Sequence, residues 1–379
     1  MRLAITGTGM VNSVGMNRDA AFDGFCRGES GAKPLVHLDR DRFRMQRAYE
    51  ISAGATGLRA SWLLMQALRE AVAAAALDPA RQRVAVLVGT GLRELRRVEQ
   101  WHTDSAICSA KQLHFGAAVE QVLGAVAPVM TISNACSASL FTLALAEDLL
   151  RLDEADAVIV AGTDSITTSM FGLVDRTNPE PPPHLAPFDQ TRKGVLMGEG
   201  AAAVVVETEH GAARRGREHL AWLRGVGVSC DAHHETVPER SGMLAAMQEA
   251  HRRSGTSPAD IDLLFPHGTG TPMNDKTEAL AIADLFGDGV GTVVMTGLKS
   301  LTGHTSGASG LTAAVTAIEC LRRGRIPPTL HFENPMSEAR EFAVVTQPID
   351  KPVRLAQVNA FGFGGVNAVA VLERVEVHH

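Results

Sequence analysis

No stretch of this chain approaches the run of about 18 uncharged apolar residues that a membrane-crossing helix needs. Its opening, MRLAITGTGMV, enters a strand directly where a secretory leader would show charged and apolar regions. A cytoplasmic protein without membrane contact is the expectation. Cysteine is scarce: five in 379 residues (Cys26, Cys108, Cys136, Cys230, Cys320), odd in number, scattered, and without a CxxC pair. That speaks against a disulfide framework and against a zinc site. Neither sign of charge dominates, since 36 Lys+Arg stand against 42 Asp+Glu for a net −6. Nothing global therefore favours nucleic acid or an anionic membrane. Lysine is rare, only six of those cations, at positions 33, 111, 193, 276, 299 and 351. Lys299 stands out because it lies beside a histidine turn.

What is present reads as α/β. A chain of this length buries roughly three quarters of its unfolded surface, and apolar runs of strand length recur along it: LAITGTGMV, VAVLVGT, MTISNAC, AVIVAGT and AAAVVVE. Continuous apolarity suits strands covered on both faces. Amphipathic stretches such as SASLFTLALAEDLLRLDEA lie between them as helices. A second series follows the charged connector TEHGAARRGREH, with WLRGVGVSC, DLLFPHGTG, TVVMTGLKS and VNAVAVLERVEV as strands. Two similar halves are expected, 1–213 and 214–379. MTISNACSASL in the first is echoed loosely by MTGLKSLTGHTSGASGL in the second. The segment from Thr177 to Asp189 carries five of the 17 prolines and forms neither helix nor central strand. It is either a rigid surface loop or a loop lining the site.

Three short segments carry chemistry. Cys136, in NACSAS, follows a β-branched strand and precedes a helix, so the helix N-terminus lies behind its sulfur and is expected to lower its pKa. His267, in PHGTGT, and His304, in KSLTGH, sit in Gly and Thr turns after strands, at the edge where α/β sheets place ligands. Taken singly, each is more often a buried thiol or a hydrogen-bonded turn histidine; together they are a kit for thioester chemistry. The acids after the first histidine turn, Asp275 and Glu278, suit a helix start, and Glu278 with Lys299 is expected to form a buried ion pair that orients the histidines. In VNAFGFGGVNA, glycines can aim backbone N–H groups at an oxyanion while a phenylalanine covers the pocket. GTGMVN and GTGLRE lack the third glycine of a dinucleotide fingerprint, and His233 and His234 have no partner at ligand spacing. No metal is assigned.

NACSAS, PFDQTRKGVLMGEGAA, DAHHETVPE, PHGTGTPMNDKTE, KSLTGHTSGASG and NAFGFGGVNA occur in the order found in elongating β-ketoacyl-acyl carrier protein synthases, which the chain resembles over nearly its whole length. The resemblance implies the thiolase fold: two pseudo-symmetric α/β halves in a five-layered α-β-α-β-α arrangement. It implies Cys136 as nucleophile, His267 and His304 as the paired histidines of decarboxylative condensation, and Lys299 and Glu278 as supporting residues. Backbone N–H groups of Cys136 and Phe363 would hold the oxyanion, with Phe363 and Gly364 in the gating turn. No metal or organic cofactor is implied beyond the phosphopantetheine arm of an acyl carrier protein. The second partner is another ketosynthase-like subunit, in a homodimer or heterodimer. Arg192, Lys193, Arg44, Arg47 and Arg59 are candidate docking residues for the acidic carrier.

Two departures concern substrate fit. The chain is short between Gly89 and Gly116, and Val195 stands where the family commonly has an aromatic residue. They point to a specialised polyketide or unusual fatty-acid pathway. Rival readings are a synthase-like acyltransferase that does not decarboxylate, and a chain-length-type partner subunit. Both histidines argue against the first, and a retained Cys136 against the second.

Overall fold

The computed structural model describes residues 1–54, 57–105, 107–124 and 128–376, except the side chains of 103 and 104. Eleven strands form one sheet: β1 (Leu3–Asn12), β2 (Val84–Thr90), β3 (Val129–Ser133), β4 (Ala157–Asp164), β5 (Gly200–Thr208), β6 (Ala221–Cys230), β7 (Leu263–Phe265), β8 (Val294–Met295), β9 (Ala343–Val344), β10 (Leu355–Gly362) and β11 (Val366–Glu373). Their spatial order is β9-β8-β7-β10-β11-β6-β1-β5-β4-β2-β3. With the edge strand β9 left out of the count, the five strands of each half run 1-5-4-2-3 outward from the middle, and β9 adds an edge to the second. Strand directions repeat as well. In each half the fifth strand is antiparallel to both neighbours, and the fourth, second and third run parallel.

The halves join where Leu3, Ala4 and Ile5 of β1 pair with Leu223, Trp222 and Ala221 of β6. The expected boundary after residue 213 falls in the helix Glu209–Arg214 just before this junction. Strand residues alternate between two cores, as a period of two requires. Val158 and Val160 of β4 face the middle layer, whereas Ala157, Ile159 and Ala161 face outward. Helix α1 (Arg59–Ala75) covers the outer face of the first half. Helices α3 (Arg240–Ser254) and α4 (Pro272–Phe286) cover that of the second. Between the half-sheets lie α2 (Ala138–Arg151) and α5 (Ser309–Arg323), which share one core with both. The result is five layers.

Helix α5 is buried nearly all round. A helix in that position has no solvent face to carry charge, and its sequence SGLTAAVTAIEC is accordingly small and apolar until its last turn. Both middle helices start at the sheet's carboxyl edge, directed at the same point. Helix α1 was not foreseen, because its first residues read as an Arg-rich surface segment.

Candidate active site

Cys136 lies in the one-turn helix Ala135–Ser137 that leads into α2, and the matching turn Ser306–Ala308 leads into α5. The first residue of each, Ala135 and Ser306, has φ +49°. Such left-handed backbone is rare outside glycine and persists where its surroundings impose it. The loose sequence echo between the halves is thus a repeated turn, with Gly307 at the place Cys136 holds in the first. A Cβ on Gly307 would come 2.6 Å from Gly91 N, which explains the glycine there.

His304 reaches across the seam to the thiol, its Nε2 lying 3.0 Å from Cys136 Sγ. Its Nδ1 is 3.0 Å from Ser309 Oγ in the first turn of α5. With the thiol donating to Nε2, the ring proton belongs on Nδ1, donated to Ser309. His304 is held on its backbone by Leu196 and Gly198, so GVLMGEG clamps the second histidine turn. The His267 ring stands edge-on to His304, centroids 5.4 Å apart. Lys299 Nζ donates to the His267 carbonyl and lies 3.3 Å from its Nδ1, leaving Nε2–H to point into the site.

Glu278 grips the same turn from the other side. It accepts the backbone N–H groups of His267 at 2.6 Å and Gly268 at 2.8 Å. The expected Glu278–Lys299 ion pair is therefore corrected: among the described residues no ion pair joins them, since each already binds the His267 backbone. Burial raises the Glu278 carboxyl and lowers Lys299, with the opposite charge of each softening the other's shift. Asp275, also buried, accepts from Gly270 N–H at 3.1 Å and Phe188 N–H at 2.8 Å. It thereby ties the proline-rich loop to the histidine turn. That loop is anchored further by His184, stacked on His331 with centroids 3.6 Å apart.

The electrostatics correct a second expectation. Burial pushes the Cys136 thiol up to about 11, and the nearby Asp164 charge adds to it. Lys299 and the backbone N–H groups of Phe363 and Cys136 act the other way without overcoming burial. His304 is pushed down to about 3 by burial and by Lys299, and His267 well below its usual range by burial, Lys299 and His304. Desolvation disfavours every charge here, so the resting pair is neutral thiol and neutral imidazole. The three donor atoms lie within 4.8 Å of one another, the one such metal-capable group among the described residues. A dication would meet the Lys299 ammonium there.

Gly362 ends β10 so close to the nucleophile turn that a Cβ would lie 3.2 Å from Cys136 N. The next residue, Phe363, turns its N–H toward the sulfur and exposes its ring, 54% accessible. Gly364 does not join it, because its N–H donates to Glu235 O at 2.7 Å and so braces the turn against the DAHHE loop. Of the docking candidates, Arg59 is corrected outright. It is fully buried, with Nε 2.8 Å from Glu199 Oε2. An arginine at the start of α1 points into the protein and supplies the counter-charge for a carboxylate that cannot reach water. Arg44 is half-exposed but bonded to Asp175 and Asn178, and Lys193 is paired with Glu180. Arg192 caps Asp189 O, and Arg47 is exposed. Asp164 and Ser309, close to the reacting groups, escaped the sequence reading; the signal was an acid ending the otherwise apolar strand AVIVAGTD.

A doubled α/β body with a cysteine at one inner helix start, a histidine at the other and a second histidine edge-on to the first defines the thiolase-fold class. Within it, the chain belongs to the β-ketoacyl synthase family. The family models described as beta-ketoacyl synthase, N-terminal domain and C-terminal domain match residues 56–212 and 220–333. The chain is similar to the 3-oxoacyl-[acyl-carrier-protein] synthase 2 of Coxiella burnetii, 31% identical with 99% of each chain covered. Among solved structures it is similar to the ishigamide ketosynthase/chain length factor, at 29% identity, TM-score 0.91 and 99% of each chain. It also matches a beta-ketoacyl synthase from Burkholderia phymatum in fold, with TM-score 0.89, 24% identity, and 99% and 100% of the two chains covered. No helix among the described residues is long and apolar enough to cross a membrane.

Proposed function

We propose that the chain is a ketosynthase that joins a Cys136-bound acyl group to a malonyl unit presented on an acyl carrier protein, in polyketide or fatty-acid biosynthesis. The observation that carries this is His304 Nε2 at 3.0 Å from Cys136 Sγ, with a second neutral imidazole edge-on to it.

In the first half-reaction the thiol proton passes to His304 as sulfur attacks the acyl thioester. The oxyanion is held by the N–H groups of Cys136 and Phe363, and the proton leaves on the departing carrier thiol. In the second, malonyl thioester loses carbon dioxide. Negative charge grows on its thioester oxygen, where His267 donates; His304 donates too, because acylated Cys136 no longer offers a proton to Nε2 and the ring takes its other tautomer, with Nδ1 accepting from Ser309 Oγ. The enolate carbon attacks the acyl carbon, the ketone product stays on the carrier, and the Cys136 sulfur leaves and takes up one proton from solvent. Both neutral rings suit this step, since each can offer an N–H without a charge that burial would penalise. Glu278 and Lys299 support the reading as holders of the His267 turn rather than as a pair.

The acyl groups arrive on phosphopantetheine, and no metal or further cofactor takes part. With Arg59 buried, Arg44, Arg47, Arg192 and Lys193 are the docking candidates that remain. A second ketosynthase-like chain completes the molecule by adding its edge strand to β3, whose Met130 is 53% exposed; a homodimer and a heterodimer both satisfy that edge.

The test incubates purified protein with acyl- and malonyl-carrier proteins, following acyl mass on Cys136 and release of labelled carbon dioxide. Acylation followed by ketone formation is expected, both abolished by Cys136→Ala. Acylation without malonyl-dependent ketone would move the assignment to an acyltransferase, and no acylation to a partner subunit.

A further inference from the structure

The turn that matches the Cys136 turn is not empty. Gly307, at the nucleophile's place in the second half, donates its N–H to Asp164 Oδ2 at 2.6 Å, and Gly91 N–H reaches the same oxygen at 2.7 Å. The other oxygen accepts from Leu92 N–H at 2.9 Å and Thr90 Oγ at 2.7 Å. Asp164 is 1% exposed and ends β4, the fourth strand of its half, just as Gly362 ends β10, the fourth strand of the other. Where the β10 end brings the Phe363 N–H to the sulfur turn, the β4 end brings a carboxylate to the glycine turn. One copy of the turn is thus left open for an anion that forms during reaction, and the other is filled by an internal one. Two residues beyond Gly307, Ser309 holds the Nδ1 side of His304.

We propose that Asp164 is a positioning residue for His304: it fixes the Ser306–Ala308 turn through the Gly307 N–H, and Ser309 passes that placement to the imidazole facing Cys136. The proposal rests on reading Cys136 and His304 as the acylating pair, not on the condensation that follows. Its carboxylate bridges loops from both halves with four donors, so a carboxamide of the same size cannot replace it. One side of an amide donates, and would face N–H groups that also donate.

The experiment measures the rate at which Cys136 takes up acyl mass from an acyl thioester, as a function of thioester concentration. Asp164→Asn, Ser309→Ala and the double variant are compared. Asp164→Asn is expected to lower the maximal acylation rate at least tenfold with half-saturation unchanged, and the double variant to be no slower than the slower single one, because both act on one ring. Thr90→Val, which removes one donor from the carboxylate, is expected to cost a few-fold and to cost nothing once Ser309 is alanine. It serves if the asparagine variant does not fold. Multiplicative losses, or folded Asp164→Asn acylating at the wild-type rate, overturn the proposal. Failure to form ketone with acylation intact would sink only the condensing function.

Discussion

His304 is 6% exposed, and its ring resists protonation until about pH 3. In the unfolded chain an imidazole titrates near 6.5. The unfolded state therefore binds more protons throughout that interval, and stability contributed by the neutral ring is lost as pH falls below about 6.5. At pH 5 this amounts to about 2 kcal/mol for His304. Urea unfolding at pH 7.5 and pH 5 should show His304→Ala losing about 2 kcal/mol less over that interval than the wild type. Equal acid losses in the two proteins would mean the ring titrates normally. Cys136 behaves oppositely. Its thiol, held near 11, stays protonated where an unfolded cysteine ionises, so alkylation of the empty enzyme should climb with pH through 9 with no plateau.

At the scale of elements, the first residue of α1, Arg59, is paired with Glu199, which lies just before β5. Removing one member of a buried pair strands the other. Arg59→Ala should cost about 3–5 kcal/mol in urea unfolding, while the folded fraction binds acyl carrier protein as before; weakened binding with unchanged stability would return Arg59 to the surface. This is also where sequence and structure part company. The strands were legible because both their faces are covered, which leaves unbroken apolar runs. The three reacting residues were legible because each sits in a Gly, Ser and Thr turn between a strand and a helix of small residues. Other features were not. Strand β10 hides in LAQVNAFG, whose Gln357 and Asn359 are buried polar groups satisfied by His251 and Glu278. Arg59 looks like any surface cation until Glu199, far along the chain, is seen beside it. Which buried acid meets which donor depends on long-range packing, and local pattern carries no trace of it; the same holds for the missing Glu278–Lys299 contact.

For the molecule as a whole, β3 is an edge strand, and among the described residues it pairs with β2 alone. Unpaired edges invite a second chain. Size-exclusion chromatography with light scattering should give a dimer for the wild type, or for the chain with its ketosynthase-like partner, and a monomer for Met130→Lys. A wild-type protein that stays monomeric at high micromolar concentration, alone and with relatives from the same pathway, would remove that edge from the assembly.

The ladder that runs from β1 into β6 has a mechanical consequence. Stitched through the middle and sharing one interior, the two lobes cannot swing apart like jaws to admit a long tethered chain. Cargo has to be threaded instead, past whatever borders the doorway, and the turn bearing Phe363, with that side chain exposed, is one such border.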